Sequence, residues 1–129
     1  MSFEADLRSR LVNDAAVSGM VDQRVYWKIR PQNSVLPAII LNITAGQRAQ
    51  VMGGVMGTQG NRVQFDCMAS SKEAAIALRD AAFNLIEMPG FSGDTTFQGG
   101  FVNLYRDAAA DVIGGVVHTE MIDVTIWYN

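Results

Sequence analysis

Residues 62–82 read RVQFDCMASSKEAAIALRDAA, and the periodicity changes partway through. In the first half Val63, Phe65, Cys67 and Ala69 alternate with Gln64, Asp66 and Met68, the pattern of a strand with one face on a core. Beyond Ser70 the apolar spacing becomes helical. Ala74, Leu78, Ala81 and Leu85 share one stripe, while Lys72, Arg79, Asp80 and Asn84 lie largely elsewhere, and Ser70 and Glu73 stand in capping-box spacing. The MPG at 88–90 ends that helix. A strand feeding directly into an amphipathic helix predicts a sheet covered by helices.

Upstream, Phe3, Leu7 and Leu11 fall four apart behind a capping Ser2, which predicts a first helix. Asp14 caps a second short turn of helix that stops near Gly19. In RVYWKIR, Val25, Trp27 and Ile29 alternate with charged residues and Tyr26, a half-buried strand ended by Pro31. AIILNIT, between Pro37 and Gly46, is a second strand with a fully buried stretch. Residues 46–60, GQRAQVMGGVMGTQG, read as a long loop, too rich in glycine for a core element and too apolar for plain linker. It reads either as a mobile hairpin connection or, through Val51, Met52, Val55 and Met56, as an arm that finds burial on another subunit.

Downstream, FSGDTTFQGG is turn-rich, FVNLY fits a short strand, and RDAAADVIGG is open between loop and helical turn. The end of the chain is a long strand in which Ile122, Val124, Ile126 and Tyr128 alternate with Met121, Asp123, Thr125 and Trp127. If helices cover one side only, either Trp127 or the Ile126–Tyr128 pair needs other cover, from the terminal helix or from a subunit contact. Together the elements predict a single α+β domain over residues 1–129: an antiparallel or mixed sheet of four to five strands, two main helices covering one face.

Apolar residues make up 49% of the chain and charged residues 18%, a globular rather than a disordered balance. No apolar run approaches the roughly 20 residues of a spanning helix, and the charged start MSFEADLRSRL does not read as a signal peptide, so neither a membrane span nor export by that route is expected. Ten basic and thirteen acidic side chains give a net charge of −3 with no basic cluster, against phosphate-directed nucleic-acid binding. A lone cysteine and a lone histidine cannot build a structural zinc site or an internal disulfide. Gly54, Gly57 and Gly60 match neither phosphate-cradling glycine pattern, so no cofactor or metal is indicated.

Cys67 is the one nucleophile worth testing. A helix N-terminus follows closely, and Asp66 and His118 are conceivable partners, yet Cys67 shares the core-facing side of Val63 and Phe65, where an unpaired cysteine packs as a small hydrophobe. His118 and Glu120 share a strand face and read as a surface ion pair.

VDQRVYWKIRPQNSVLPAIILNI at 21–43, the stretch at 62–82, and IDVTIWYN at 122–129 together resemble the tail completion, or tail terminator, family of long-tailed bacteriophages. The features that carry the likeness are Asp22-x-Arg24-Val25-Tyr26 leading to Leu36-Pro37, Val63-Gln64-x-Asp66 running into a helix with Glu73-Ala74, and a final Asp123-x-Thr125-x-Trp127 strand. The resemblance implies a non-enzymatic virion protein, made in the bacterial cytoplasm, that closes into a ring with copies of itself, usually a hexamer. Such a ring sits on the head-proximal end of the tail tube, stops tube polymerisation and presents the surface for head-tail joining. Expected partners are the tail tube protein and a head-closure or neck protein, with DNA passing the lumen without specific binding and no membrane involved. The alternatives are another neck component, head-closure or adaptor, and a small thiol hydrolase built on Cys67, Asp66 and His118. Subunit-interface candidates are Val51, Met52, Val55, Met56 and Trp127.

Overall fold

The structure, a computed structural model, describes the backbone at residues 3–29, 35–51, 54–93, 95–112 and 115–128, and the side chains of these except at 45–51, 54–59, 91, 108–112 and 115. Among the described residues three helices and six strands follow in the order α1 (Phe3–Asn13), α2 (Ala15–Val21), β1 (Val25–Trp27), β2 (Ala38–Val51), β3 (Gly54–Ala69), α3 (Lys72–Glu87), β4 (Gly90–Ser92), β5 (Thr95–Val112) and β6 (Gly115–Tyr128). The strands form one mixed sheet in the order β1-β2-β3-β6-β5-β4. All neighbours run antiparallel except β1 and β2, which are parallel. The α+β class therefore holds, and the three-residue β4 adds an edge that its turn-rich sequence did not suggest.

Helix α1 buries Phe3, Leu7 and Leu11 as their spacing requires; the cap expected at Ser2 lies outside the described residues. Asp14 caps α2 by accepting from the Val17 amide, but the helix runs through Gly19 to Val21. For α3 the N-cap is Ser71, not Ser70: its hydroxyl accepts from the Ala74 amide at 3.2 Å. The buried stripe correspondingly includes Ala75, Leu78, Ala81, Ala82, Leu85 and Ile86, leaving Ala74 half-exposed.

The helices pack on one face of the sheet. That face carries Val25, Ile39, Leu41, Val63, Phe65, Cys67, Ile122, Val124 and Ile126, which join Leu7, Leu11, Val17, Leu78 and Phe97 in a single core. Burying a side chain such as Phe65 contributes about 1.5–3 kcal/mol of transfer free energy. Strand β1 is shorter than its alternation implied. Lys28 takes a left-handed φ of 70°, the chain leaves the sheet after Trp27, and Ile29 is 79% exposed.

One region read as a loop, and one left open between loop and helical turn, are paired strands. The segment 46–60 is not a loop but the outer part of a β2–β3 hairpin, with Gln47 opposite Gly60 and Val51 opposite Gly54. Register shifts at Ile43/Ala45 and Arg48/Gln50 let the glycine-rich ladder twist as it extends. Likewise FVNLY and RDAAADV both belong to the 18-residue β5, where Ala108, Ala109 and Ala110 face Thr119, His118 and Val117 of β6. The helix preference of an alanine run yields there to cross-strand pairing.

Arginines lock the helices to the frame. Arg8 donates to the carbonyls of Val25 (2.8 Å) and Gln23 (2.9 Å), Arg24 to those of Pro37 (2.9 Å) and Met20 (3.2 Å). Arg10 donates to Leu85 (3.1 Å) and Met88 (2.6 Å) at the C-terminal end of α3, where a cation also suits the helix dipole, and lies over the Phe97 ring at 4.9 Å.

Candidate assembly surface

The structure splits the three residues of the hydrolase alternative between the two faces of the sheet. Cys67 is fully buried on the helix-covered face, and burial pushes its thiol far up, away from the thiolate a nucleophile needs; the nearby Asp66 and Glu120 carboxylates push the same way. Asp66 lies one residue along, on the opposite face, where it accepts a 3.0 Å bond from Gln64. His118 is opposite Ala69, while Cys67 faces Glu120.

Glu120 is not half of a surface pair with His118. It is 4% exposed, and its carboxylate accepts from Arg79 Nη1 at 3.0 Å. Arg79 also reaches Asp80 at 3.2 Å and lies against the rings of Tyr105 (5.2 Å) and Phe83 (5.6 Å). This cluster locks α3 onto β6 and β5, and its geometry is structural. Among the described residues no group of acidic, histidine or cysteine side chains could hold a metal ion, and no helix is long and apolar enough to cross a membrane.

The helix-free face of the sheet has a different character. Arg62 of β3 grips Asp123 of β6 through two nitrogens, Nε at 2.8 Å and Nη2 at 2.7 Å, and Asn103 of β5 donates to Thr125 at 2.9 Å. The Arg62 bond holds the Asp123 carboxyl below its usual range, against a smaller upward push from burial. Beside this ladder lies a depression of about 230 Å³ lined by Gln64, Leu104, Arg106, Met121 and Asp123, among others. Phe101 is 54% exposed and Leu104 50%.

Trp127 lies on this face, away from the helices, as its alternation with Ile126 and Tyr128 required. The terminal helix does not cover it; Phe3 instead packs on Tyr128, with ring centroids 4.3 Å apart. The indole lies over Gly60, where a Cβ would come within 2.7 Å of the ring, so the glycine there makes room for the tryptophan. Of the other interface candidates, Met52 lies outside the described residues. Val51 ends β2, and Val55 and Met56 follow the start of β3.

The strand ladders place both hairpins beyond the core. β3 pairs with β6 only from Gln59 opposite Tyr128 to Ala69 opposite His118. The β2–β3 hairpin therefore projects past the C-terminal end of β6 by roughly 17 Å, at about 3.3 Å per residue. The β5–β6 hairpin projects at the other end of the sheet, past Ala69, through Val112 and Gly115. The sequence singles out the first hairpin by its misplaced apolar residues, though as a loop and not as paired strands. Sequence reasoning missed the second, and with it the exposed Phe101, Leu104 and Tyr105, because β5 was read as fragments; their placement on both sides of a polar Asn103 was the available signal.

The family model of tail completion protein gp17 matches residues 5–95, from α1 to the first residue of β5. No curated protein sequence matches the chain. Among solved structures, a chain from the virion of a native gene transfer agent particle superposes with a TM-score of 0.71 at 14% identity, over 99% of this chain and 96% of that one, a likeness of fold that extends through β5 and β6. With a family match over most of its length, the chain belongs to the tail completion protein gp17 family and is a structural protein of a virion tail.

Proposed function

We propose that this protein closes into a homo-oligomeric ring, a hexamer in the family's usual form, at the head-proximal end of the tail tube, ends tube polymerisation there and offers the surface to which the head is joined. The observation that carries this reading is the pair of hairpins leaving the sheet at opposite ends. A tube grows by open-ended stacking of identical faces. A subunit that stops it must present one end matched to the tube and a different end to the next component, and two unlike arms supply that asymmetry. Val51, Val55 and Met56 sit on the first arm and, with Met52, which lies outside the described residues, are its proposed contacts. Trp127, close to the base of that arm, is proposed to be covered by a neighbouring subunit.

The protein works by assembly and catalyses no reaction. Its arginines support passage of DNA without retention: among the described side chains Arg8, Arg10 and Arg24 are spent on backbone carbonyls and Arg62 and Arg79 on carboxylates, and are so engaged rather than held out for phosphates. Mixing the protein with purified tail tubes tests the reading by electron microscopy. A ring at one end of each tube, with no further growth when tube subunits are added, is expected. Bare tube ends, or binding to head-side proteins alone, would overturn it, the latter in favour of another neck component.

A further inference from the structure

The sheet ends in two open edges. On one side β1 covers β2 only at Ile39–Leu41; past Leu41 no described strand pairs with the outer edge of β2. On the other side β4 covers β5 only at Thr95–Phe97, and from Gly99 to Val112 the outer edge of β5 meets no described strand. Long unpaired edges are what folded proteins normally hide, because each is a template for another strand. Here Phe101, Leu104 and Tyr105, 50–61% exposed, lie along the open stretch of β5 on both faces of the sheet, as on a strand awaiting a neighbour.

We infer that the open edge of β5 in one copy pairs with the open edge of β2 in the next, so that the sheet continues from subunit to subunit. This rests on the ring reading and names its seam. Strand direction permits it. β2 and β6 run one way and β3 and β5 the other, so a rotation that carries the sheet onward sets β5 beside the next copy's β2 antiparallel. The contact joins two different edges, and such a contact generates a ring when the rotation closes.

The short edge strands fix the offset. In one copy the ladder runs Leu41, Phe65, Ile122, Tyr105, which puts β1 at the level of the β5 stretch just below Leu104. At the other end Arg48, Gln59, Tyr128 and Phe97 are level, which puts β4 beside the outer part of β2. Two copies set side by side without displacement would have β1 of one and β4 of the other wedged into the seam. Sliding the neighbour along the strands by roughly 26 Å, at about 3.3 Å per residue, clears both. Residues 42–51 of that copy then face residues 103–112 of the first, β1 lies past the tip of β5 and β4 past the tip of β2. A closed ring has no net rise per copy, so the offset becomes strand tilt, as in a barrel.

Cysteine cross-linking reads the seam directly. Gln47→Cys is combined in turn with Phe101→Cys, Asn103→Cys, Tyr105→Cys and Asp107→Cys in the full-length protein, assembled alone or on tail tubes; the buried Cys67 contributes no background, and single variants are the controls. Oxidation should give a ladder of covalent multimers strongest with Asp107→Cys or Tyr105→Cys, at least tenfold above either single variant. Thermal unfolding checks that each variant is folded. A ladder strongest with Phe101→Cys would show an undisplaced seam and overturn the inference, as would a ring by native mass with no ladder from any pair; both leave the ring reading standing. A monomer by native mass, both free and with tubes, would overturn the ring reading and the seam with it.

Discussion

Removing the Glu120 carboxylate should destabilise the fold more than any surface ion pair does. Arg79 loses its 3.0 Å partner in Glu120→Ala, and a buried charge left unpaired costs about 3–5 kcal/mol. Two features reduce that figure here: the Arg79 side chain is 19% exposed, and it keeps Asp80 and the rings of Phe83 and Tyr105. The expected loss is about 2–3 kcal/mol, which for a domain of this size is roughly 6–15 °C in Tm. Glu120→Gln keeps an acceptor for Nη1 and should lose only about 1 kcal/mol. Replacing both partners by leucine removes the stranded charge along with its partner, so the double variant should be more stable than the sum of the single changes by at least about 1 kcal/mol. Urea unfolding of the parent, Arg79→Leu, Glu120→Leu and the double leucine variant supplies the cycle. Simple additivity, or a Glu120→Ala variant within about 0.5 kcal/mol of the parent, would refute the reading of this pair as a buried, coupled lock.

Three further changes follow from other parts of the structure. Phe65→Ala empties the centre of the core, where the ring is fully buried, and should lower the unfolding free energy in urea by about 3–5 kcal/mol. Gly93 holds φ +57° against the buried Asp6 carboxylate, which accepts from Thr95 at 2.5 Å; Gly93→Ala would strain the backbone and drive its methyl into Asp6, for a loss of about 2 kcal/mol or more by thermal unfolding. Asp123 has a folded pKa below its ordinary value of 3.8, so its bond to Arg62 adds stability above that value and loses it as pH falls through the folded pKa; the difference between parent and Asp123→Asn in urea midpoint should therefore be present at neutral pH and vanish in acid.

Where the chain is half-buried, its sequence states its structure. The alternation from Val63 to Ala69, the stripe of α3 and the closing strand are all legible because one face meets the core and the other meets water, and the periodicity records that contrast. The projecting hairpins are different. Beyond the helices no core imposes alternation, and pairing across each hairpin makes strands of GQRAQV and of the alanines at 108–110. Local propensity argued for loop in one case and left loop and helical turn open in the other, and pairing prevailed in both. The cap at Ser71 rather than Ser70 is a one-residue ambiguity between two equivalent hydroxyls. Glu120 was legible as a strand residue but not as a buried one, since its partner comes from α3, far away in sequence.

Helix α1 packs against both β1 and β4, the outermost strands on opposite sides of the sheet. So short a helix can reach both only if the sheet is bowed like an arch, and α1 is then its tie-rod, bolted to one abutment by Arg8 and, by Arg10, to the end of α3 that leads into the other. The span of the arch sets the angle at which its outer strands face the world. Anything that continues those strands inherits that angle, so the first eleven helical residues act as the protein's protractor, far from any surface they help to aim.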